Sequence, residues 1–78
     1  MSTDLARASV TIVGLGLMGG SLAAALSARR ACARVVGVAR RRVTWEMAHE
    51  LRFIDAGTCD LAEGVTEADV VVLAMPVA

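Results

Sequence analysis

Val10-Thr11-Ile12-Val13-Gly14-Leu15-Gly16-Leu17-Met18-Gly19-Gly20-Ser21 is the stretch on which the reading of this chain turns. A β-branched run ends in glycines spaced G-x-G-x-x-G, and a helix-forming segment, Leu17 to about Arg29, follows directly. In a strand–turn–helix each glycine has a physical task. Gly14 permits the tight turn out of the strand, Gly16 lets a pyrophosphate approach the backbone, and Gly19 lets the helix pack closely on the strand. The free N–H groups and positive dipole end of that helix, at Leu17 and Met18, then face the phosphates. The spacing by itself also arises in structural glycine turns; between a strand and a helix it predicts dinucleotide binding.

Outward from this turn, the pattern alternates. Ser9 to Val13 reads as the first strand and Arg34 to Val38 as the second, with Ala39 at its end. A helix is expected from Val43 or Thr44 to Leu51, a short strand or its lead-in at Gly57-Thr58-Cys59-Asp60, and a turn and a half of helix from Leu61 to Thr66. The apolar run Asp69 to Met75 suits a parallel strand covered on both faces. The order β-α-β-α-β-α-β with right-handed crossovers gives an α/β, Rossmann-like parallel sheet with strand order 3-2-1-4. In the first helix, Met18, Leu22, Ala25 and Leu26 form the expected inward face, and Ala23, Ala24 and Ala28 keep it thin. In the second, Met47, Ala48 and Leu51 are expected inside, Trp45 beside them, and Glu46 and Glu50 in water. Residues 1–8 read as a loose tail, and 9–78 as the N-terminal part of a dinucleotide-binding domain. The 78 residues suffice for about one mononucleotide-binding half, and no substrate or dimerisation domain is read in them.

Formal net charge is zero, so general attraction to nucleic acid or an anionic membrane is not expected. The distribution is uneven: seven of the eight arginines lie between Arg29 and Arg52, and from Phe53 onward there are five acids and no basic residue. Cys32 and Cys59 belong to no metal-ligand spacing and read as reduced thiols; no metal site is expected. His49 reads as a surface histidine. Ser9 to Ala28 lacks charge, like a signal peptide or membrane span, but its four glycines and the βαβ pattern downstream argue against that reading.

The usual fingerprint places an acid about 20 residues past the last glycine, on the adenosine ribose 2′-hydroxyl. Here Ala39 holds that position, followed by Arg40-Arg41-Arg42. A carboxylate would repel a 2′-phosphate, whereas arginines hold one with charge-assisted bonds. The stretch therefore predicts NADP over NAD, with Arg40 and Arg41 as the clamp and Arg42 pointing away. Met75 and Pro76, with Val77, follow the last strand at its carboxyl end and are expected to line the cofactor crevice.

Gly14-Leu15-Gly16-Leu17-Met18-Gly19-Gly20-Ser21-Leu22-Ala23 resembles the opening of prephenate and arogenate dehydrogenases. Val35-Val36-Gly37-Val38, Ile54-Asp55 with Thr58 and Asp60, and Ala68-Asp69-Val70-Val71-Val72-Leu73-Ala74-Met75-Pro76-Val77 resemble the same family in register. The resemblance implies a cytoplasmic oxidoreductase of tyrosine, hence aromatic amino acid, biosynthesis. It implies hydride transfer from prephenate or arogenate to NAD(P) with loss of carbon dioxide, in a homodimer formed through a further domain. The family's catalytic His and substrate-binding Arg lie in segments this chain does not contain, so no catalytic residue is assigned. Arg52 stands where the family usually has Gly, which predicts a frayed or differently capped helix end. Alternatives are another β-hydroxyacid or imine dehydrogenase with a similar opening, or a non-catalytic NAD(P)-binding module.

Overall fold

Four parallel strands form the sheet of this computed structural model, which describes residues 5–74 without the side chains of Leu5, Leu17 and Met18. They are β1 (Ser9–Val13), β2 (Arg34–Val38), β3 (Ala56–Thr58) and β4 (Val70–Leu73), in the order β3-β2-β1-β4. Ser9 pairs with Arg34 and Val13 with Val38; Val10 pairs with Val70, and Gly37 with Gly57. The connections are α1 (Leu17–Arg29), α2 (Arg42–Glu50) and α3 (Leu61–Val65). The Rossmann-like order expected from the β-α alternation is the one observed.

Period-two alternation sorts the strand residues between two faces. Val10, Ile12, Val35, Val70 and Val72 turn toward α1 and α2, where they join Leu15, Ala23, Ala48 and Ile54 in the core. Thr11 and Val38 turn toward α3: Thr11 Oγ1 donates to Gly64 O at 2.7 Å, and a Cβ on Gly64 would lie 2.3 Å from Val38 Cγ2. Thr11 is thus a fully buried hydroxyl with its partner, as a buried polar group requires.

Two aspartates close the ladders at the amino edge of the sheet. Asp55 N–H donates to Val35 O at 2.8 Å while its Oδ2 accepts from Val35 N at 2.7 Å. Asp69 does the same with Ser9, at 2.8 Å in both directions. Asp69 thus satisfies the N–H of Ser9, the first residue of β1, and Asp55 that of Val35, the second residue of β2.

Several expectations need correction. Residues 1–4 lie outside the described residues, but Leu5–Arg7 form a 3-10 turn and Ala8 is buried, its carbonyl accepting from Ala33 N at 3.0 Å. Among the described side chains of α1 the inward positions are Gly19, Leu22, Ala23 and Leu26, while Ala25 is exposed; the Met18 side chain lies outside the described residues. The helical period is as expected, but its phase is set by Gly19, whose absent Cβ would sit 1.8 Å from Gly14 O. In α2 Ala48 is buried, but Val43, Met47 and Leu51 are 58%, 57% and 59% exposed. Trp45 turns the helix: its ring lies over β3, 2.4 Å from where a Cβ of Gly57 would be, and the Met47–Leu51 edge rotates outward.

Nor is the end of α2 frayed. Arg52 N–H donates to His49 O at 3.0 Å and Phe53 N–H to Ala48 O at 2.9 Å, the paired bonds of a Schellman cap, with Arg52 left-handed at φ 62°. Helix α1 ends the same way, with Arg30 at φ 49°, Arg30 N–H on Ser27 O at 3.2 Å and Ala31 N–H on Leu26 O at 3.1 Å. Arginine occupies both positions that favour glycine.

Candidate dinucleotide-binding site

The site lies at the carboxyl edge of the sheet, where open α/β folds bind ligands. Gly14 leaves β1 at φ 95°, a region that L side chains avoid, and its N–H donates to Val38 O at 2.8 Å. That bond ties the turn to the end of β2. Gly19 then packs against the Gly14 carbonyl, closely enough that no side chain fits.

Gly16 is different. No atom lies within 4 Å of where its Cβ would be, and its φ of −74° is ordinary. Neither internal packing nor backbone strain demands glycine here. The open space lies at the N-cap of α1, where the N–H groups of Leu17, Met18 and Gly19 begin the helix, and no side chain caps them. The first turn closes with Gly20 N–H on Gly16 O at 2.8 Å. A cradle that a Cβ would fill, beside uncapped helix N–H groups, fits a phosphate.

The other helix starts sharpen the contrast. Asp60 caps α3, its Oδ1 accepting from Ala62 N at 2.9 Å and Glu63 N at 3.4 Å. Helix α2 has Arg41 at its N-cap and no side-chain cap. The two uncapped helices start beside the glycine turn and beside the arginine run, the two places where the sequence predicts phosphates.

Ala39 is buried at the end of β2, its N–H on Thr58 O at 3.1 Å. Arg40 and Arg41 are exposed. Arg40 lines a cleft of about 470 Å³ together with Gly14, Ala39, Cys59 and Leu61. Arg42 is committed elsewhere: its Nε pairs with Glu46 Oε1 and its guanidinium lies 5.9 Å from the Trp45 ring centroid. The structure thus brings Gly14, Ala39 and Arg40 together around one cleft, with Gly16 and Gly19 in the adjoining turn. Arg41 does not line that cleft, and Arg42 is paired with Glu46. Met75 and Pro76 lie outside the described residues.

Cys59 and Leu61 were not singled out by motif. The rule that ligands gather beyond strand carboxyl ends would have found them, because they directly follow β3. His49 is exposed on α2, and Cys32 and Cys59 are free thiols. Among the described residues no cluster of His, Cys, Asp and Glu could hold a metal, and no helix is long and apolar enough to cross a membrane.

Comparison with known proteins agrees with this geometry. Synechocystis arogenate dehydrogenase superposes with a TM-score of 0.76 at 35% identity, over 87% of this chain and 23% of that one. Prephenate dehydrogenase from A. aeolicus, solved with hydroxyphenyl propionate and NAD+, superposes with a TM-score of 0.80 at 31% identity, over 97% of this chain and 26% of that one. The chain therefore spans about a quarter of the length of each. No curated protein matches it in sequence. The model of the family described as NADP oxidoreductase, coenzyme F420-dependent, matches residues 9–78. With the glycine turn, the parallel sheet and the open helix start in place, that match over nearly the whole chain makes it a member of this oxidoreductase family.

Proposed function

We propose that residues 9–78 are the cofactor-binding part of an NADP-dependent prephenate or arogenate dehydrogenase. In this reading the whole protein is a cytoplasmic homodimer that carries out the oxidative decarboxylation of tyrosine biosynthesis, and its substrate and dimerisation domain lies outside this chain. The observation that carries the reading is Gly16: a glycine required by no internal contact, at an uncapped helix start, is accounted for by a ligand that must come close. The two dehydrogenase structures, both about a third identical to this chain, support the substrate class.

Bound NADP supplies the hydride acceptor. The residues of this chain bind and orient it. The α1 N–H groups at Leu17, Met18 and Gly19 hold the pyrophosphate, Gly14 shapes the turn beneath it, and Ala39 leaves the ribose pocket free of a repelling carboxylate. Arg40 and Arg41 hold the 2′-phosphate, assisted by the open start of α2. None of these groups transfers a proton, so this part of the protein binds and aligns, and the chain alone is inactive.

The test measures dissociation constants of NADP and NAD in the full-length protein and in its Arg40→Ala/Arg41→Ala variant. Each charge-assisted bond is worth about 1.5–3 kcal/mol, so the loss of two should weaken NADP binding by about a hundredfold or more, with NAD little changed. Turnover of prephenate against arogenate then identifies the substrate. A folded protein that binds neither cofactor would overturn the reading.

A further inference from the structure

We infer that Glu46 sets how strongly this domain discriminates a 2′-phosphorylated cofactor from its unphosphorylated counterpart, by holding Arg42 out of the clamp. The inference rests on the cofactor reading above.

Arg40, Arg41 and Arg42 are consecutive, yet the fold gives them different surroundings. Arg40 lines the cleft and Arg41 stands exposed at the N-cap of α2. Arg42, the first residue of the helix, is paired one turn along it with Glu46. Helical side chains lean toward the helix N-terminus, which is how Glu46 reaches back to Arg42. Released, Arg42 would lean toward the uncapped start of α2, where Arg41 already stands.

The hold has two parts. One is the i, i+4 ion pair with Glu46, its side chains 77% and 46% exposed. The other is the Trp45 ring under the guanidinium, which cannot shift because it is seated on Gly57 of β3. An exposed pair of this kind is weak and salt-sensitive, so removing the Glu46 charge makes the arginine more available only by as much as the pair is worth. A specificity-determining residue can therefore act here without touching the cofactor.

The experiment measures NADP and NAD dissociation constants in the full-length protein for wild type, Glu46→Gln, Arg42→Ala/Glu46→Gln and Arg40→Ala/Arg41→Ala, with far-UV circular dichroism as the check on folding. Glu46→Gln should bind NADP about three- to fivefold more tightly, with NAD unchanged. The Arg42→Ala/Glu46→Gln double variant should return to the wild-type NADP value within about twofold. A gain that survives in the double variant overturns the inference, because it then comes from the lost carboxylate charge and not from a freed Arg42. An unchanged NADP-to-NAD ratio in Glu46→Gln, with the ratio collapsed in Arg40→Ala/Arg41→Ala, overturns the role of Glu46 and leaves the clamp standing. An unchanged ratio in Arg40→Ala/Arg41→Ala overturns both. Should Glu46→Gln fail to fold, Glu46→Ala reads the same release.

Discussion

Gly16 and Gly19 stand in one motif for unrelated reasons, and substitution separates them. A methyl group at Gly19 meets the Gly14 carbonyl at 1.8 Å, a backbone clash that no rotamer relieves. Gly19→Ala should therefore cost several kcal/mol, read as a fall in the midpoint of chemical unfolding. At Gly16 the same methyl enters open space. Gly16→Ala should change stability by no more than about 1 kcal/mol, the range of N-cap exchanges, and still weaken cofactor binding about tenfold or more. Equal damage to stability at both positions would remove the ligand argument. Cys32 offers a pH test at the same scale. Burial first, then the charge of Asp55, raises its thiol above the ordinary 9.0, and a hydrogen bond with the Arg34 backbone partly offsets this. The neutral thiol is the favoured form in the fold. Its stabilising contribution is present below the ordinary value and is lost as pH rises through the raised one. Alkylation of Cys32, followed by mass spectrometry, should still be accelerating above pH 9.0.

Helices α1 and α2 share one stop. Both end in a left-handed arginine, Arg30 at φ 49° and Arg52 at φ 62°, with the two crossed bonds of the Schellman cap made in each case. The bonds form because the chain must reverse into β2 and β3, and arginine bears the strain. Arg30→Gly and Arg52→Gly should each stabilise the fold by about 0.5–1 kcal/mol in denaturant titrations, and additively, since each acts on its own cap. Of the two, Arg52 is the position where the sequence already predicted trouble. Of the two outcomes expected there, a frayed end or a different cap, the structure has a hydrogen-bonded cap with arginine in the left-handed position. Strand entry shows a second repeated device, the aspartates Asp55 and Asp69. Asp55→Ala strands the N–H of Val35, which is 2% exposed, and should cost about 1–3 kcal/mol; Asp55→Asn should recover part of it.

The two faces of the whole sheet are unequally covered. Helices α1 and α2 seal one, whereas α3, five residues long, shields only the centre of the other. On that face β4, an edge strand, shows Val71 at 44% and Leu73 at 69% exposure. An apolar edge strand with open hydrogen-bonding groups is a template for association. The 78-residue chain on its own should self-associate at tens of micromolar in sedimentation velocity and unfold broadly, roughly as expected for so small a core. Leu73→Lys should shift it toward monomer. A sharp, concentration-independent monomeric transition in the unsubstituted chain would contradict this.

The residues themselves determined the element order, the strand boundaries to within about two residues, the parallel 3-2-1-4 sheet and the glycine turn. Those features follow from local periodicity, from glycine's conformational range and from the handedness of crossovers, all of which act over a few residues. Only the tertiary structure decided the rotation of α1 and α2 about their axes, the separate surroundings of the three arginines and the place of Cys59 and Leu61 beside the cleft. A helix's period is set by its own backbone, but its phase is set by whatever it must fit against. For α1 that was the Gly14 carbonyl, and for α2 it was Gly57, twelve residues beyond Trp45 and on another strand.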